Sequence, residues 1–569
     1  MKEFRVATSL PSRTWLLVTI FLTLTGLLLW RAYYLQIFNN DFLRQHGDAR
    51  SLRTVTIPAH RGMITDRNDE PLAISTPVDS IWVTPREVLA DEDKLPRLAR
   101  LLGTPVDELQ QQLTDRLGRE FLYLERQVSP ELARKVSELG MDGVNLQREY
   151  KRYYPAGEVA EHLVGFTNVD DSGQEGIELA YDDWLKGTPG EKRVLQDRLG
   201  HVVRNVESLK PARPGKDLHL SIDRRVQYLA YRELKAAVQH HNARGGSLVM
   251  LEAKTGEVMA MAVQPAFNPN NRSGLKSENY RNRAVTDVFE PGSTLKPFTI
   301  SAALMSGKFT PDTTVATAPG YVMVSHHTIE DERNHGTLDL AGIIKKSSNV
   351  GASKVAMALG PQPLWELFTK LGFGLPTGSG FPGESAGVLN SYQNWSELEL
   401  ATMSFGYGVS MTTLHLAQAY AALADDGIMH PVSLQRLEQP ARGRRVIPAG
   451  VARRVRSMLE GVVQPGGTGT RADVPGYHVA GKTGTVHKST RGGYAEHRYL
   501  ALFAGMAPAS DPDLVLVVVI DEPQGNEYYG GLVAAPVFSR VMKGALRILN
   551  IPPDDLPSFN HGTLMAVKD

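Results

Sequence analysis

A serine followed three residues later by a lysine occurs twice in this 569-residue chain, at Ser273–Lys276 and at Ser293–Lys296. Residues i and i+3 share one face of a helix, so a lysine amine there can take the serine's hydroxyl proton and create a nucleophile. Such a lysine must be partly neutral, which burial and nearby cations produce. The chain has no cysteine. Disulfides, thiolate metal sites and cysteine nucleophiles are therefore excluded, and covalent chemistry falls to Ser, Thr, Lys or a carboxylate. Ser273 sits in NPNNRSGLKSEN, where Asn, Pro and Gly predict a loop. Ser293 sits in FEPGSTLKPFTISAALMSG, where a Pro291-Gly292 turn precedes an apolar run suited to a buried helix. A serine at a helix start faces free backbone N–H groups and the positive end of the dipole, the donors an oxyanion needs. Pro297 is tolerable in the first turn. Read alone, the motif is more often a helix cap with a surface lysine.

Two further patterns change that weighing. Ser-x-Asn occurs at Ser277–Asn279, Ser347–Asn349 and Ser558–Asn560, but only Ser347-Ser348-Asn349 joins two helical runs, LDLAGIIKK and VGASKVAMALG. A short loop there can project polar groups into a cleft. Lys-Thr-Gly occurs at Lys254–Gly256, where it reads as a hairpin turn, and at Lys482–Gly484 in YHVAGKTGTVHK, which reads as a strand. On that strand Thr483 and Thr485 share one face, Gly484 leaves room for a ligand backbone, and Lys482 adds positive charge. Ser-x-x-Lys, Ser-x-Asn and Lys-Thr-Gly, in this order and each in a fitting context, are far more specific than any one of them.

These motifs need elements to hold them. The spacing predicts a helix in RRVQYLAYRELKAAVQHH and a hairpin of two apolar strands in GSLVMLEAKTGEVMAMAV. Two more apolar strands, YLALFAGMAP and DLVLVVVID, precede a helix around 535–549, and helices fill the interval between the strand groups. The expected fold class is α+β, with one antiparallel sheet flanked by helices. Upstream, residues 40–225 are polar and mixed. SLRTVTIPA and DSIWVTP read as strands there, and 91–103 and 130–139 as helices, with KPARPGK at 210–216 as a boundary. At the N-terminus, 14–30 is an uncharged apolar run with flanking Trp and Tyr, and Lys2, Arg5 and Arg13 precede it. That predicts a membrane helix with a cytoplasmic N-terminus rather than a cleaved signal, since no small-x-small site follows. The tail from Ile551 is rich in Pro and Asp and reads as flexible. Lys plus Arg and Asp plus Glu are 62 each. Zero net charge argues against a nucleic-acid partner.

The ordered triplet resembles the penicillin-binding proteins and serine β-lactamases. Over nearly the whole chain the likeness is to the class B, division-type penicillin-binding proteins. It is carried by IPAHRGMITDRNDEPLA (57–73), the stretch 152–187, FEPGSTLKPF (289–298), KSSNVG (346–351), the stretch 405–427 and GKTGT (481–485). The resemblance implies five parts: a cytoplasmic stub at 1–13, a membrane anchor at 14–38, a periplasmic pedestal of the dimerisation type at 39–225, a transpeptidase domain at 226–550 and a tail at 551–569. The chain would then sit in a bacterial inner membrane, single-pass, with its catalytic domain in the periplasm. Ser293 would attack the D-Ala-D-Ala carbonyl of a peptidoglycan stem peptide, and β-lactam antibiotics would acylate the same serine. Lys296 would take the hydroxyl proton. Ser347, Asn349 and Lys482 would relay protons and position the substrate amide. Thr483 and Thr485 would hold the substrate carboxylate, with Gly484 between them. The N–H groups of Ser293 and Thr485 would form the oxyanion hole, and Tyr407, Tyr528 and Tyr529 would wall the cleft. Implied partners are a membrane glycosyltransferase of the FtsW type and other division proteins. No cofactor or metal is expected, because serine–lysine chemistry needs none and the histidines are scattered.

One departure stands out. The family often has Ala and then Arg or Gln after the Lys-[Ser/Thr]-Gly-Thr motif, where this chain has Val486 and His487. His487 falls on the Thr483 and Thr485 face, and an imidazole is charged only in acid, below ~6.5 for a free side chain. A specialised second copy of the division enzyme is therefore one reading. A D,D-carboxypeptidase uses the same residues, a β-lactamase shares the motifs without anchor or pedestal, and a scaffold with a dead catalytic domain is the non-enzymatic rival.

Overall fold

Apolar runs such as Leu248–Leu251 and Leu514–Ile520 carry no polar alternation because both faces of their sheet are covered. The structure, a computed structural model, describes residues 12–40, 52–196, 202–274, 276–490 and 493–555. Five strands form an antiparallel sheet in the order Val258–Gln264, Gly245–Glu252, Leu514–Asp521, Gly493–Ala507, Ala480–Thr490. Period two sorts the side chains to opposite faces. Leu248, Met250, Phe503 and Val518 pack with Val226 and Leu234 of helix Arg224–His240 and with Val533 and Phe538 of helix Gly530–Ile548. Val249, Leu251, Leu502 and Val517 face the other way, into a core with Leu416 and Ala417 of helix Thr413–Ala424. All twelve residues of that last helix are buried, so its apolar character runs all round rather than along one stripe.

The chain falls into two compact units that interleave in sequence. One comprises Met1–Ala59, Val78–Glu149 and Thr188–Arg213; the other comprises His60–Pro77, Tyr150–Gly187 and Pro214–Asp569. In the first, strands Leu52–Ile57, Gly190–Gln196 and Val202–Lys210 form an antiparallel sheet. A separate core there gathers Ile81, Leu98, Leu109 and Val136. The expected helices are Leu95–Leu102, ended by left-handed Gly103, and Pro130–Ser137, capped by Ser129. In the second unit, Arg61 is wholly buried, bridging Glu178 at 2.7 Å and Asp182 at 2.7 Å, while Arg152 meets Glu178 at 2.6 Å. These ion pairs tie the segments 60–77 and 150–187 to one another.

Helix Ser12–Tyr33 continues through a π-turn at Tyr34–Phe38, and none of the apolar stretch Arg13–Phe38 is buried. At 1.5 Å per residue it reaches about 39 Å, enough to cross a bilayer core of ~30 Å. It is the one helix among the described residues long and apolar enough to do so. The stub before Ser12 and the tail beyond Asp555 lie outside the described residues. The first tail residues are tied down: Ile551 O accepts from the Tyr477 hydroxyl at 2.6 Å, and Asp554 accepts from His478 N at 2.7 Å.

A backbone crossing fixes the turn that carries Ser293. Gly292 N donates to Gly406 O at 3.1 Å, and a Cβ on Gly406 would lie 2.2 Å from Gly292 O at a φ of +87°. Gly408 has a similar φ of +85° but its Cβ would meet only Met403 Cε at 3.5 Å. Left-handed backbone costs a substituted residue roughly 1–3 kcal/mol. Gly408→Ala is therefore expected to lose about that much stability and Gly406→Ala clearly more, measured by denaturant unfolding. Equal losses would show that the crossing can spread without penalty.

Candidate active site

Ser293 lies in a 3-10 turn, Gly292–Leu295, that runs into α-helix Lys296–Met305. A 3-10 turn has three residues per turn, so positions i and i+3 eclipse rather than merely share a face. Lys296 Nζ consequently sits 3.0 Å from Ser293 Oγ. Pro297 falls at the helix start, where its missing N–H is no loss. The Thr294 carbonyl in this turn accepts from the buried Tyr420 hydroxyl at 2.8 Å, and Thr299 Oγ1 donates to Ser404 O at 2.7 Å. Ser273, by contrast, is an exposed loop serine whose hydroxyl donates to Asn271 Oδ1 at 2.8 Å.

Lys296 is wholly buried and its amine meets three further oxygens: Ser347 O at 2.5 Å, Asn349 Oδ1 at 2.7 Å and Ser347 Oγ at 3.2 Å. Burial and then the neighbouring Lys482 charge push its pKa well below the ordinary lysine value, with Asp331 opposing. A neutral amine has two hydrogens and one lone pair. The carbonyls of Ser347 and Asn349 can only accept, so they take both hydrogens. The lone pair then faces the Ser293 and Ser347 hydroxyls, at 3.0 and 3.2 Å, a geometry in which a hydroxyl can give the amine a proton.

Ser347 and Asn349 come from the junction of helices Leu340–Lys346 and Asn349–Leu359. Ser347 adopts left-handed φ 60°, ψ 37°, uncommon for a non-glycine residue and typical of a functional turn. Its hydroxyl stands between two amines, with Lys482 Nζ at 2.9 Å. Lys482 also donates to Thr483 O at 3.1 Å, and burial lowers its pKa to about 7. The residue that holds this junction escaped the sequence reading. Asp331 accepts from Ser348 Oγ at 2.6 Å, Asn349 N at 2.5 Å and Val350 N at 3.0 Å. It neutralises the N-terminus of helix Asn349–Leu359. A helix start with no acid in its first turn was the available signal, but IEDERNHG offers three acids and no local rule to choose among them.

The Lys-Thr-Gly motif occupies Ala480–Thr490, which ends the sheet and pairs with Gly493–Ala507 on one side only. Its other edge can align with an extended peptide backbone. Thr483 Oγ1 lies 2.7 Å from Thr468 Oγ1, and Thr485 Oγ1 accepts from Gly530 N at 3.0 Å, leaving the Thr485 hydroxyl hydrogen to donate elsewhere. The expectation for Gly484 needs correction. A Cβ there would lie 3.0 Å from Thr294 Cγ2 and 3.2 Å from Pro291 O. The room at Gly484 is filled by the protein's own serine-bearing turn, because even-numbered residues of this strand face that turn and the ligand edge lies to the side.

The aromatic residues form two groups. Tyr407 packs edge-on against Tyr494 and Phe405, with its phenol against the His487 backbone. Tyr528 stacks between Tyr499 and Tyr529, at 4.2 and 4.5 Å between ring centroids. His487 joins this second group through Tyr499, at 4.6 Å, and its Nδ1 is 3.1 Å from Ala495 O. It is a half-buried, hydrogen-bonded residue rather than a solvated strand end.

Two measurements check this electrostatic reading. A lysine lowered from 10.5 to about 7 binds no proton between those values when folded, but binds one when unfolded. Its stabilising contribution is complete above 10.5 and is lost as pH falls toward 7. Unfolding of the detergent-solubilised chain is expected to become harder from pH 7 to 9.5, and Lys482→Met to flatten that rise; parallel curves would place the Lys482 proton elsewhere. Asp331→Asn keeps the side-chain shape but removes its charge. It should depress the Lys296 pKa further and lower stability by about 1.5–3 kcal/mol, the range for hydrogen bonds to charged groups.

The chain matches the penicillin binding protein transpeptidase domain over residues 246–543 and the penicillin-binding protein dimerisation domain over residues 56–220. It is 47% identical to the probable peptidoglycan D,D-transpeptidase PbpC of Pseudomonas aeruginosa, covering 95% of this chain and 96% of that protein. It is 44% identical to the peptidoglycan D,D-transpeptidase FtsI of Escherichia coli K12, covering 93% and 90%. Among solved structures, penicillin binding protein 3 of Mycobacterium tuberculosis, complexed with aztreonam, aligns with a TM-score of 0.69 at 30% identity, over 88% of this chain and 98% of that one. The transpeptidase domain of Burkholderia pseudomallei penicillin-binding protein 3 aligns with a TM-score of 0.55 at 44% identity, over 59% and 98%. With both domains present in this order and identity sustained along almost the full length, the chain belongs to the class B penicillin-binding proteins.

Proposed function

We propose that this protein is a serine peptidoglycan D,D-transpeptidase that cross-links stem peptides in septal wall synthesis and is acylated by β-lactams. The observation that carries the reading is the meeting of Ser293, Ser347 and Asn349 on one buried Lys296 amine, whose pKa burial pushes well below the ordinary lysine value. The stem peptide lies along the free edge of Ala480–Thr490, its terminal carboxylate taken by the Thr483 and Thr485 hydroxyls. Ser293 Oγ attacks the penultimate D-Ala carbonyl as its proton passes to Lys296. The N–H groups of Ser293 and Thr485 hold the oxyanion. The C–N bond breaks, and the departing D-alanine amine takes a proton relayed through the Ser347 hydroxyl, which touches both lysines. An amine of a second stem then attacks the ester, gives up its proton along the same relay and frees Ser293. Tyr407, Tyr528 and Tyr529 wall the cleft. Residues 14–38 anchor the chain, with residues 1–13 cytoplasmic and the catalytic part periplasmic. The anchor's surface and the pedestal meet a membrane glycosyltransferase of the FtsW type and other division proteins.

A labelled penicillin tests the assignment. Ser293→Ala is expected to abolish labelling and Ser273→Ala to leave it intact; the reverse would move the nucleophile. Lys296→Ala should slow acylation ~10²–10⁴-fold, the usual span of a general base, and a loss under tenfold would mean another base. Stable labelling marks a transpeptidase, rapid turnover a hydrolase, and no labelling a scaffold. A chain lacking 1–40 is expected to be soluble and still acylated. His487→Gln and His487→Arg are expected to change the rate of acylation by carboxylate-bearing β-lactams; unchanged rates would give His487 a purely structural place between Ala495 and Tyr499.

A further inference from the structure

The histidines look scattered along the chain, yet the fold brings two of them to a carboxylate. His240 ends helix Arg224–His240 and His241 is its cap residue, at φ −90°, ψ 6°. A residue leaving the helix no longer points 100° away from its neighbour, so the two rings converge, with centroids 4.8 Å apart. Glu527 reaches them from the segment between strand Leu514–Asp521 and helix Gly530–Ile548, and one ligand atom from each of the three lies within 4.8 Å of the others. Neither imidazole has a hydrogen-bond partner among the described residues. The cation facing Glu527 is Arg471, at 3.7 Å, a loose pair. Two imidazoles and one carboxylate are the donor set of zinc sites that keep an open position for water, and imidazole suits zinc, copper and nickel over calcium or magnesium.

We propose that His240, His241 and Glu527 form a site for one divalent transition-metal ion of the zinc class. Bringing the three donors onto a metal at ~2.0–2.2 Å requires them to close by about an ångström, a side-chain adjustment open to an exposed His240 and a half-buried His241 and Glu527. The consequence lies in what the ion would join. Gln524 N already donates to His241 O at 2.9 Å. A metal ion would add a second tie between the helix end and the 522–529 segment, on the residue immediately before Tyr528. Tyr528 is the middle ring of the stack with Tyr499 and Tyr529. Metal binding would thus hold in place a segment that borders the cleft, without any donor entering the chemistry.

The test uses the full chain in detergent, without a histidine tag and after chelation, titrated with zinc and, for spectroscopy, cobalt. One equivalent should bind at pH 7.5, with visible cobalt absorption of low-coordinate geometry. His240→Gln and Glu527→Gln should each weaken binding by at least the ~10–100-fold that loss of an outer-shell partner costs. Arg471→Ala, which removes the competing cation, should tighten it. Hydrogen exchange of peptides covering 522–529 should slow on zinc addition in the wild type and not in Glu527→Gln. Binding unchanged in the His240 and Glu527 variants would overturn the site. Binding lost in those variants but exchange unchanged in the wild type would overturn the coupling to the segment.

Discussion

Two lysine amines are buried side by side around one serine hydroxyl, and the site depends on that constraint. Lys296 and Lys482 are both fully buried, and Ser347 Oγ lies 3.2 Å from one and 2.9 Å from the other. Two ammonium groups so placed would repel each other and lose their hydration together. Proton loss relieves both costs. Desolvation thus lowers the proton affinity of an amine 3.0 Å from Ser293 Oγ, and the acceptor-only carbonyls of Ser347 and Asn349 stand where amine hydrogens would go.

That arrangement asks three remote segments to meet within hydrogen-bond distance. The serine turn is held by the Gly292–Gly406 crossing and by Tyr420. The Ser347 junction is held by Asp331, whose carboxylate takes three donors. The Lys482 strand is held by the sheet, and Gly484 lets the serine turn come against it. The supports are backbone contacts or side chains at least partly buried, which keeps the side-chain geometry narrow. The absence of a side chain at Gly292, Gly406 and Gly484 allows close packing between segments of the domain.

The edge position of Ala480–Thr490 has a second effect. An unpaired strand edge is usually a hazard for aggregation. Here it borders the lysine cluster and the tyrosine groups, so the same backbone row that would pair with another chain is placed to pair with an extended peptide. Thr485 takes an N–H from Gly530 while keeping its own hydrogen to donate. This fixes the Thr485 oxygen against the start of helix Gly530–Ile548.

Local sequence determined much of this chain. Short uninterrupted apolar runs bounded by turn residues specified the sheet strands, period 3.6 specified Arg224–His240, and an uncharged run after three cations specified the N-terminal helix. The serine, Ser-Ser-Asn and Lys-Thr-Gly motifs were legible because each needs only its neighbours: a turn before a helix, a link between helices, an alternating strand. What the tertiary structure alone decided is whatever depends on long-range approach. Asp331 was one acid among three until the Ser348–Val350 backbone came to it. Gly484 read as space for a ligand until the Pro291–Thr294 turn filled that space. His487 was legible only as sharing the Thr483 and Thr485 face, and its contacts with the Tyr499 ring and the Ala495 carbonyl came from the fold. His240, His241 and Glu527 are separated by the whole catalytic sheet in sequence and meet only because a helix end and a strand-to-helix segment lie together. Propensity and periodicity act over a few residues, whereas a lowered lysine pKa or a shared ligand atom requires burial and contact between segments far apart in the chain.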